Sequence, residues 1–303
     1  MAIYEVVIQI LIPIALGFAL RHTGLFGDEQ SAVLRKFVVY VSIPFLVFHS
    51  MYTSSLPSLS QALSIVAALP VLTMLFYLVA SAAGRALPLE HPQRMAFLAA
   101  TTFGNYGWLG WSAALTVFGE RGLNQALFFT LLWWPSFYAF GAILGLRCRT
   151  RNSVDHRSIA ILTILPVGCI AAGIALNLSG AVIADFFLAT VEDIGDTTIP
   201  LILISVGMGL NVRNIKHSLP AALGVSAVRL GLGPLLGILT CTILPTGELG
   251  SDVVVLLSAM PVATIAPILC DYFEMDQDLI SVSIVVSTVL SLLTLPLVLL
   301  VLG

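Results

Sequence analysis

The chain has 303 residues, of which 58% are apolar and only 10% are charged, whereas a soluble domain carries about 25% charged residues. This composition excludes a soluble globular protein. The net charge of -3 leaves no basic surface for a polyanion, so nucleic acid is excluded as a partner. The four cysteines have no C-x-x-C spacing, which argues against a metal cage.

Charged and turn-rich breaks divide the chain into ten apolar segments, each near the roughly 20 residues that a helix needs to cross a bilayer. Segment 2 is shorter than a full membrane span and is expected to begin earlier than its apolar run, near Ala32. Numbered 1 to 10 in chain order, the segments are residues 3–20, 37–51, 63–87, 95–118, 123–146, 159–176, 190–210, 219–243, 253–273 and 279–302.

The distribution of basic residues predicts the orientation of these segments, because Lys and Arg are retained in cytoplasmic loops. Eleven of the 13 lie in the loops after segments 1, 3, 5 and 7, and only Arg121 lies on the opposite side. Arg229 is inside segment 8. The asymmetry predicts a multi-pass membrane protein with both termini outside the cytoplasm.

The two halves of the chain resemble each other at an offset of 156 residues. Residues 17–24 align with residues 173–180, and Pro44 aligns with Pro200. Five segments per half would give the halves opposite orientations, as in the inverted repeats of secondary transporters. The predicted units are residues 1–146, a cytoplasmic loop 147–157, and residues 158–303. The alternative is chance similarity between helices rich in Gly, Ala and Leu.

Segments 4 and 9 contain residues that interrupt a helix. Residues 104–110 include three glycines around the polar Asn105, and residues 260–267 include Pro261 and Pro267. Gly weakens a helix interior, and Pro removes a backbone hydrogen bond. Broken backbone at membrane depth persists where it lines a cavity or is buried in protein, so these breaks predict a site for an anionic group. Ordinary kinks are the alternative.

These elements, with Ser42-Ile-Pro-Phe45 and Thr294-Leu-Pro296, resemble the auxin efflux carrier family along essentially the whole chain. The resemblance implies an all-α polytopic membrane protein with ten transmembrane helices in two inverted five-helix repeats. It further implies a scaffold of segments 1, 2, 6 and 7, a transport domain of segments 3–5 and 8–10, and broken crossover helices 4 and 9. The fold is similar to that of bile-acid sodium symporters.

The resemblance also carries site residues. The family's substrate-binding Asn falls on Asn105, and its segment 9 prolines fall on Pro261 and Pro267. The expected substrate-binding set is completed by neighbours of these positions: Gly104, Tyr106, Trp108 and Thr264. Plant members have Pro where this chain has Gly104 and carry a long loop where this chain has residues 147–157. The short loop is typical of bacterial members associated with dicarboxylates and similar organic anions, so the resemblance implies a protein of the bacterial inner membrane.

Two ionisable residues lie inside predicted spans at similar depths. Arg229 is ten residues into segment 8, and Asp196 is within segment 7. Because a charge in the hydrocarbon costs about 2.5 to 3.5 kcal/mol on insertion scales, each needs a partner. We expect the two to be coupled, either as a structural ion pair or in substrate or proton coupling.

The leading hypothesis is a secondary carrier that moves a small organic anion by an elevator or rocking motion, and the family resemblance implies the efflux direction. The alternatives are a sodium-coupled organic-anion symporter, a channel or sensor, and an intramembrane enzyme. Oxygen atoms of Thr101, Thr102 and Thr264 could coordinate a sodium ion. Enzyme motifs such as a Walker loop or H-E-x-x-H are missing from the sequence, so neither an enzyme nor a cofactor is expected. Proton or sodium coupling and a homodimeric assembly stay open.

Overall fold

The computed structural model describes residues 3–54, 56–145, 156–209, 215–267, 269–270 and 273–302, nearly all of them helical. The first half contains α1 (Ile3–His22), α2 (Asp28–Phe37), α3 (Ile43–Thr53), α4 (Leu59–Ala86), α5 (His91–Thr102), α6 (Trp111–Thr130) and α7 (Trp133–Gly145). The second half contains α8 (His156–Ser179), α9 (Asp185–Asp196), α10 (Thr198–Gly209), α11 (Ile215–Ser226), α12 (Gly233–Ile243), α13 (Glu248–Ser258) and α14 (Gln277–Leu302).

Three wider, π-helical turns interrupt or extend these helices. Val38–Ser42 joins α2 to α3, and Ala227–Leu232 joins α11 to α12. Tyr106–Gly110 leads directly into α6. π-Turns within helices often occur at functional sites, so these three turns indicate where a functional site is expected.

Four continuous helices of the described chain are long and apolar enough to cross a membrane: Glu29–Thr53, Leu59–Ala86, Lys216–Ile243 and Gln277–Val301. They coincide with predicted segments 2, 3, 8 and 10, and segment 2 begins even earlier than Ala32. Shorter apolar helices, Ile8–His22 and Val167–Ser179, fall on segments 1 and 6. The described structure is therefore that of an all-helical, polytopic membrane protein.

The remaining predicted segments are divided rather than continuous. Segment 4 breaks after α5, segment 7 is split into α9 and α10, and segment 9 leaves helical geometry after α13. Gly119, with a φ of +65°, separates the end of segment 4 from the start of segment 5 within α6. Residues 147–155 of the predicted cytoplasmic loop lie outside the described residues.

The two halves share a helix end at the offset of the sequence repeat. α5 ends at Thr102, and α13 ends at Ser258, 156 residues later. The two interrupted segments thus occupy corresponding positions in the two halves.

Candidate functional site

The breaks in segments 4 and 9 meet in the interior of the protein. Gly104 and Val262 form an antiparallel bridge. The N–H of Asn105 donates to the carbonyl of Pro261 at 2.8 Å, and the N–H of Ala263 donates to the carbonyl of Phe103 at 2.9 Å. Backbone groups that each break releases from its own helix are therefore satisfied by the other, as a buried break requires.

Gly104 is required at this junction by close packing. A Cβ atom at this position would lie 2.0 Å from Nη2 of Arg229 and 2.4 Å from the ring of Tyr106. The side chain of any other residue would therefore overlap the groups that pack against the break. This explains why glycine occupies the position before Asn105.

The side-chain amide nitrogen of Asn105 lacks a hydrogen-bond partner in the described part of the protein. Its side chain is 2% exposed, and its Oδ1 accepts a 3.4 Å hydrogen bond from the N–H of Leu109. Its backbone carbonyl accepts from the N–H of Gly110 at 3.0 Å. The Nδ2 atom is buried and has no acceptor within the described part of the chain. Since an unsatisfied buried donor costs about 1 to 3 kcal/mol, Nδ2 is a strong candidate for ligand contact.

Asn105 lines a cavity of about 140 Å³, here called the central cavity. One wall comes from the two breaks: Gly104, Asn105, Tyr106, Gly107, Trp108, Ala263, Thr264 and Ile265. The facing wall comes from α3, α8, α10 and the turn before α3: Val39, Ile43, Val47, Val167, Ile170 and Ile202. Trp111, Leu127, Thr130, Leu131 and Trp133 complete the lining. The central cavity is thus mostly apolar, with few polar groups.

A larger space of about 660 Å³, here called the inner cavity, adjoins the central cavity. Val39, Trp108, Thr264 and Ile265 line both. Most of its other lining residues lie at the ends of α1, α2, α10 and α14 that the predicted topology assigns to the cytoplasm: Arg21, Ser31, Arg35, Ser205, Val206, Met208, Gly209, Gln277, Asp278, Ser281 and Ile284. Pro267, from the non-helical part of segment 9, completes the lining. The central cavity therefore adjoins a path toward the predicted cytoplasmic side.

A buried contact joins the helices on the opposite side of the central cavity. The hydroxyl of Ser50 in α3 donates a hydrogen bond to Oδ1 of Asn124 in α6. Both side chains are almost fully buried. This contact holds α3 against α6 near the predicted outer side.

Asp196 and Arg229 do not form the predicted ion pair in this structure. Asp196 is exposed, and the charges beside it belong to Glu192, Asp193 and His49. Arg229 is fully buried and donates its hydrogen bonds to carbonyl and hydroxyl oxygens instead. Similar depth in two helices does not make their side chains face each other, so the ion-pair alternative is not realised here, and a role of the two residues in substrate or proton coupling stays a prediction.

An acidic cluster lies around Asp196 at the predicted outer side. Glu192 approaches Nε2 of His49 to 4.0 Å. Glu120 lies between predicted segments 4 and 5, and partial burial, followed by the negative charge of Asp196, raises the pKa of its carboxyl above the usual range. These groups are separate from the central cavity.

The structure brings together five of the seven predicted substrate-binding residues, since Gly104, Asn105, Tyr106, Trp108 and Thr264 all line the central cavity. The remaining two have other positions. Pro261 supplies the carbonyl that accepts from Asn105, and Pro267 lines the inner cavity. The facing wall was not predicted, because its valines and isoleucines carry no signal that distinguishes them from residues facing lipid.

A family profile described as membrane transport protein matches residues 2–144 and 167–299 of this chain. The chain belongs to this family, the auxin efflux carrier family. The resemblance inferred from the breaks in segments 4 and 9 is therefore confirmed. This family member is a multi-pass membrane transport protein, and its family is a transporter family rather than an enzyme family.

Two archaeal proteins are similar to this carrier-family member along almost their whole length. An uncharacterized transporter of Methanothermobacter thermautotrophicus is 30% identical over 295 residues, which cover 97% of this chain and 96% of the relative. An uncharacterized transporter of Methanocaldococcus jannaschii is 27% identical over 304 residues, with the same two coverages. Both relatives are described as transporters.

Proposed function

We propose that this family member is a secondary carrier of a small organic anion and that the central cavity binds the carboxylate of its substrate. The observation that carries the proposal is the unpartnered Nδ2 of Asn105, a buried donor on the wall of the central cavity. A carboxylate oxygen would satisfy this donor. Secondary transporters bind their substrates at such interrupted helices.

Helix polarity supports an anionic substrate. The helical stretch that follows the first break begins at Tyr106, and the chain after the second break turns helically from Ala263, whose carbonyl accepts from Ala266. The first N–H groups of a helix lack intrahelical acceptors and carry partial positive charge. Two such starts beside Asn105 favour negative charge in the central cavity.

The size and lining of the central cavity support a small substrate. Its volume of about 140 Å³ is below the range of about 300 to 1,000 Å³ that is typical of sites for drug-sized ligands. Aromatic side chains, among them Trp108 and Trp111, provide apolar surface beside few polar groups. We therefore propose a short carboxylate as the substrate.

We further propose that transport uses alternating access of an elevator type between two inverted repeats. The matching ends of α5 and α13 support the repeat. The central cavity lies between the predicted scaffold, represented by Val39 and Ile202, and the predicted transport domain, represented by Asn105 and Thr264. The inner cavity and the Ser50–Asn124 contact suit a conformation that faces the cytoplasm and is closed outside.

The proposed orientation places both termini outside the cytoplasm, because eleven of 13 basic residues fall in the loops assigned to the inside. In a variant without native cysteines, we expect Gly303→Cys to react with an impermeant maleimide in intact cells. Glu90→Cys, in a loop assigned to the inside, should react only after permeabilisation. The reverse labelling pattern would reject this orientation.

Asn105→Ala should weaken anion binding by about tenfold, because the substrate loses a hydrogen bond to a buried donor. Asn105→Asp should abolish binding, since a carboxylate replaces the donor amide. The measurement is the rise in melting temperature that short mono- and dicarboxylates cause in purified protein.

Asn177→Ala is the matched control for Asn105→Ala. The Asn177 amide donates to the carbonyls of Tyr52 and Ser54, and Asn177 is not among the residues that line the central cavity. This variant should melt at a lower temperature but keep the full carboxylate-induced shift. An unchanged shift in folded Asn105→Ala would place the binding site elsewhere.

Ser50→Ala should increase the population that is open to the outside, because it removes the buried hydrogen bond between α3 and α6. A net contribution of about 1 kcal/mol predicts about a fivefold increase in that population. The readout is external maleimide labelling of Val47→Cys, a position lining the central cavity, in a background without native cysteines. Thr53→Ala is the control, since the Thr53 hydroxyl bonds only within α3; equal labelling in both variants would contradict the gating role.

A sodium-coupled symporter is the second candidate function. The hydroxyls of Thr101 and Thr102 are buried beside the first break and have no hydrogen-bond partner among the residues that the structure describes. Hydroxyl oxygens are suitable sodium ligands. Carboxylate uptake into proteoliposomes, with and without a sodium gradient, separates the two carriers. Flux that neither saturates nor shows counterflow would instead indicate a channel.

A further inference from the structure

Arg229 is the only charged side chain that is fully buried among the residues that the structure describes. It lies in the π-helical turn Ala227–Leu232, where segment 8 passes behind the junction of the two breaks. The central cavity is lined by other residues, so Arg229 does not reach the proposed substrate directly. Its role must follow from the groups that surround its guanidinium.

The guanidinium binds the carbonyl ends of both interrupted helices. Nη1 donates to the carbonyl of Thr101 at 3.3 Å, next to the end of α5. Nε and Nη2 donate to the carbonyl of Met260 at 3.2 and 2.9 Å, two residues beyond the end of α13. Nη1 also donates to the hydroxyl of Tyr106 at 3.2 Å. One cation therefore joins both breaks.

These carbonyls are the groups that attract a cation in a transporter with interrupted helices. The C-terminal end of a helix carries partial negative charge, and unwound carbonyls at such ends coordinate the coupling ion in other folds. Here the ends of α5 and α13 face a guanidinium instead. The guanidinium also lies over the Phe76 ring, 4.0 Å from its centroid, and 5.4 Å from the Tyr106 centroid, which adds cation–π attraction.

Gly104 makes this arrangement possible. A Cβ atom there would lie 2.0 Å from Nη2 of Arg229, so only glycine admits the guanidinium at this distance. The guanidinium therefore places a positive charge behind Asn105.

We propose that Arg229 is a resident cation that fills the position where a coupling sodium ion would bind, so that the carrier binds its anion without sodium. The proposal rests on the carrier function proposed above and selects between its two candidates. A sodium ion at the same carbonyls would meet the guanidinium at close range, and the two positive charges would repel. The fixed charge instead accompanies the substrate anion within the transport domain.

The test measures the melting temperature of purified protein in sodium chloride and in choline chloride at equal ionic strength, without any carboxylate. The wild type should show no difference between the two salts. Arg229→Met removes the charge at similar side-chain length and exposes the Thr101 and Met260 carbonyls, so it should gain a saturable, sodium-dependent rise in melting temperature. Arg229→Lys keeps the charge and should stay insensitive to sodium.

Arg121→Met is the matched control, because it removes an exposed arginine away from the breaks and should behave like the wild type. Saturable stabilisation of the wild type by sodium would overturn the proposal, as would a folded Arg229→Met that gives no sodium response. If Arg229→Met does not fold in either salt, the test rests on the wild type and Arg229→Lys. A sodium-dependent rise in the melting temperature of the wild type rejects the proposal. No such rise in the wild type or in folded Arg229→Lys supports it.

The sodium measurement is independent of the proposed carrier function. It contains no carboxylate, and chloride is present in both salts. Failure of the carrier proposal would show separately, as the absence of any carboxylate-induced shift that depends on Asn105. The two proposals can therefore fail independently.

Discussion

Gly104→Ala should lower the free energy of unfolding by about 3 kcal/mol, the upper part of the usual range for overpacking a protein interior. The new methyl group would lie 2.0 Å from Nη2 of Arg229 and 2.4 Å from the Tyr106 ring. To avoid it, the guanidinium must give up its hydrogen bonds to Met260, and a bond from a charged donor contributes about 1.5 to 3 kcal/mol. Denaturant unfolding of purified protein measures the loss.

The control for Gly104→Ala is Gly107→Ala, three residues further along the same interrupted segment. The nearest atoms to a Cβ atom at Gly107 belong to Trp111 and are 3.9 Å away, so this variant should lose little stability. Combining Gly104→Ala with Arg229→Met should cost less than the two separate losses, because the methionine removes Nη2. Strictly additive losses would show that the clash with Arg229 is not the cause.

Gly207→Ala should be similarly damaging for a different reason. A Cβ atom at Gly207 in α10 would lie 1.9 Å from the carbonyl oxygen of Ile14 in α1 and 2.9 Å from the backbone N of Phe18. Gly17 in α1 makes the reciprocal approach, with a Cβ position 2.0 Å from the carbonyl oxygen of Ile204. Since backbone atoms cannot rotate away, the two helices must separate, at a cost of about 3 kcal/mol.

Gly209→Ala is the matched control for Gly207→Ala, because it changes the same residue type on the same helix. Among the residues that the structure describes, no atom beyond its immediate neighbours and its own helix backbone lies within 4 Å of its Cβ position. Its free energy of unfolding should stay near that of the wild type, whereas Gly207→Ala should melt at a clearly lower temperature. Equal melting temperatures for the two variants would contradict close α1–α10 packing.

The contact between α1 and α10 bears on the proposed transport motion. Both helices belong to segments 1 and 7, which the family resemblance assigns to the scaffold. Interfaces in which glycines let backbones approach closely are typical of stable helix packing in membranes. We infer that the scaffold moves as one body, so that relative motion is confined to the surface along the central cavity.

Local chemistry determined the membrane class and the places where helices stop. Apolar runs of sufficient length require helices in a bilayer, because each helix satisfies its own backbone hydrogen bonds. The glycines around Asn105 and the proline after Met260 disfavour helix at those positions whatever surrounds them. The interruptions in segments 4 and 9 could therefore be predicted, and with them most residues of one wall of the central cavity.

The tertiary structure alone decided which groups meet. Depth in the bilayer suggested Asp196 as the partner of Arg229, but the guanidinium binds the carbonyls of Thr101 and Met260. Backbone carbonyls are present at every residue, so no pattern of side chains identifies the two that a distant arginine will reach. The residues of the facing wall of the central cavity could not be predicted from the sequence either. The rotation of a uniformly apolar helix about its axis is set by the helices that pack against it and not by its own sequence.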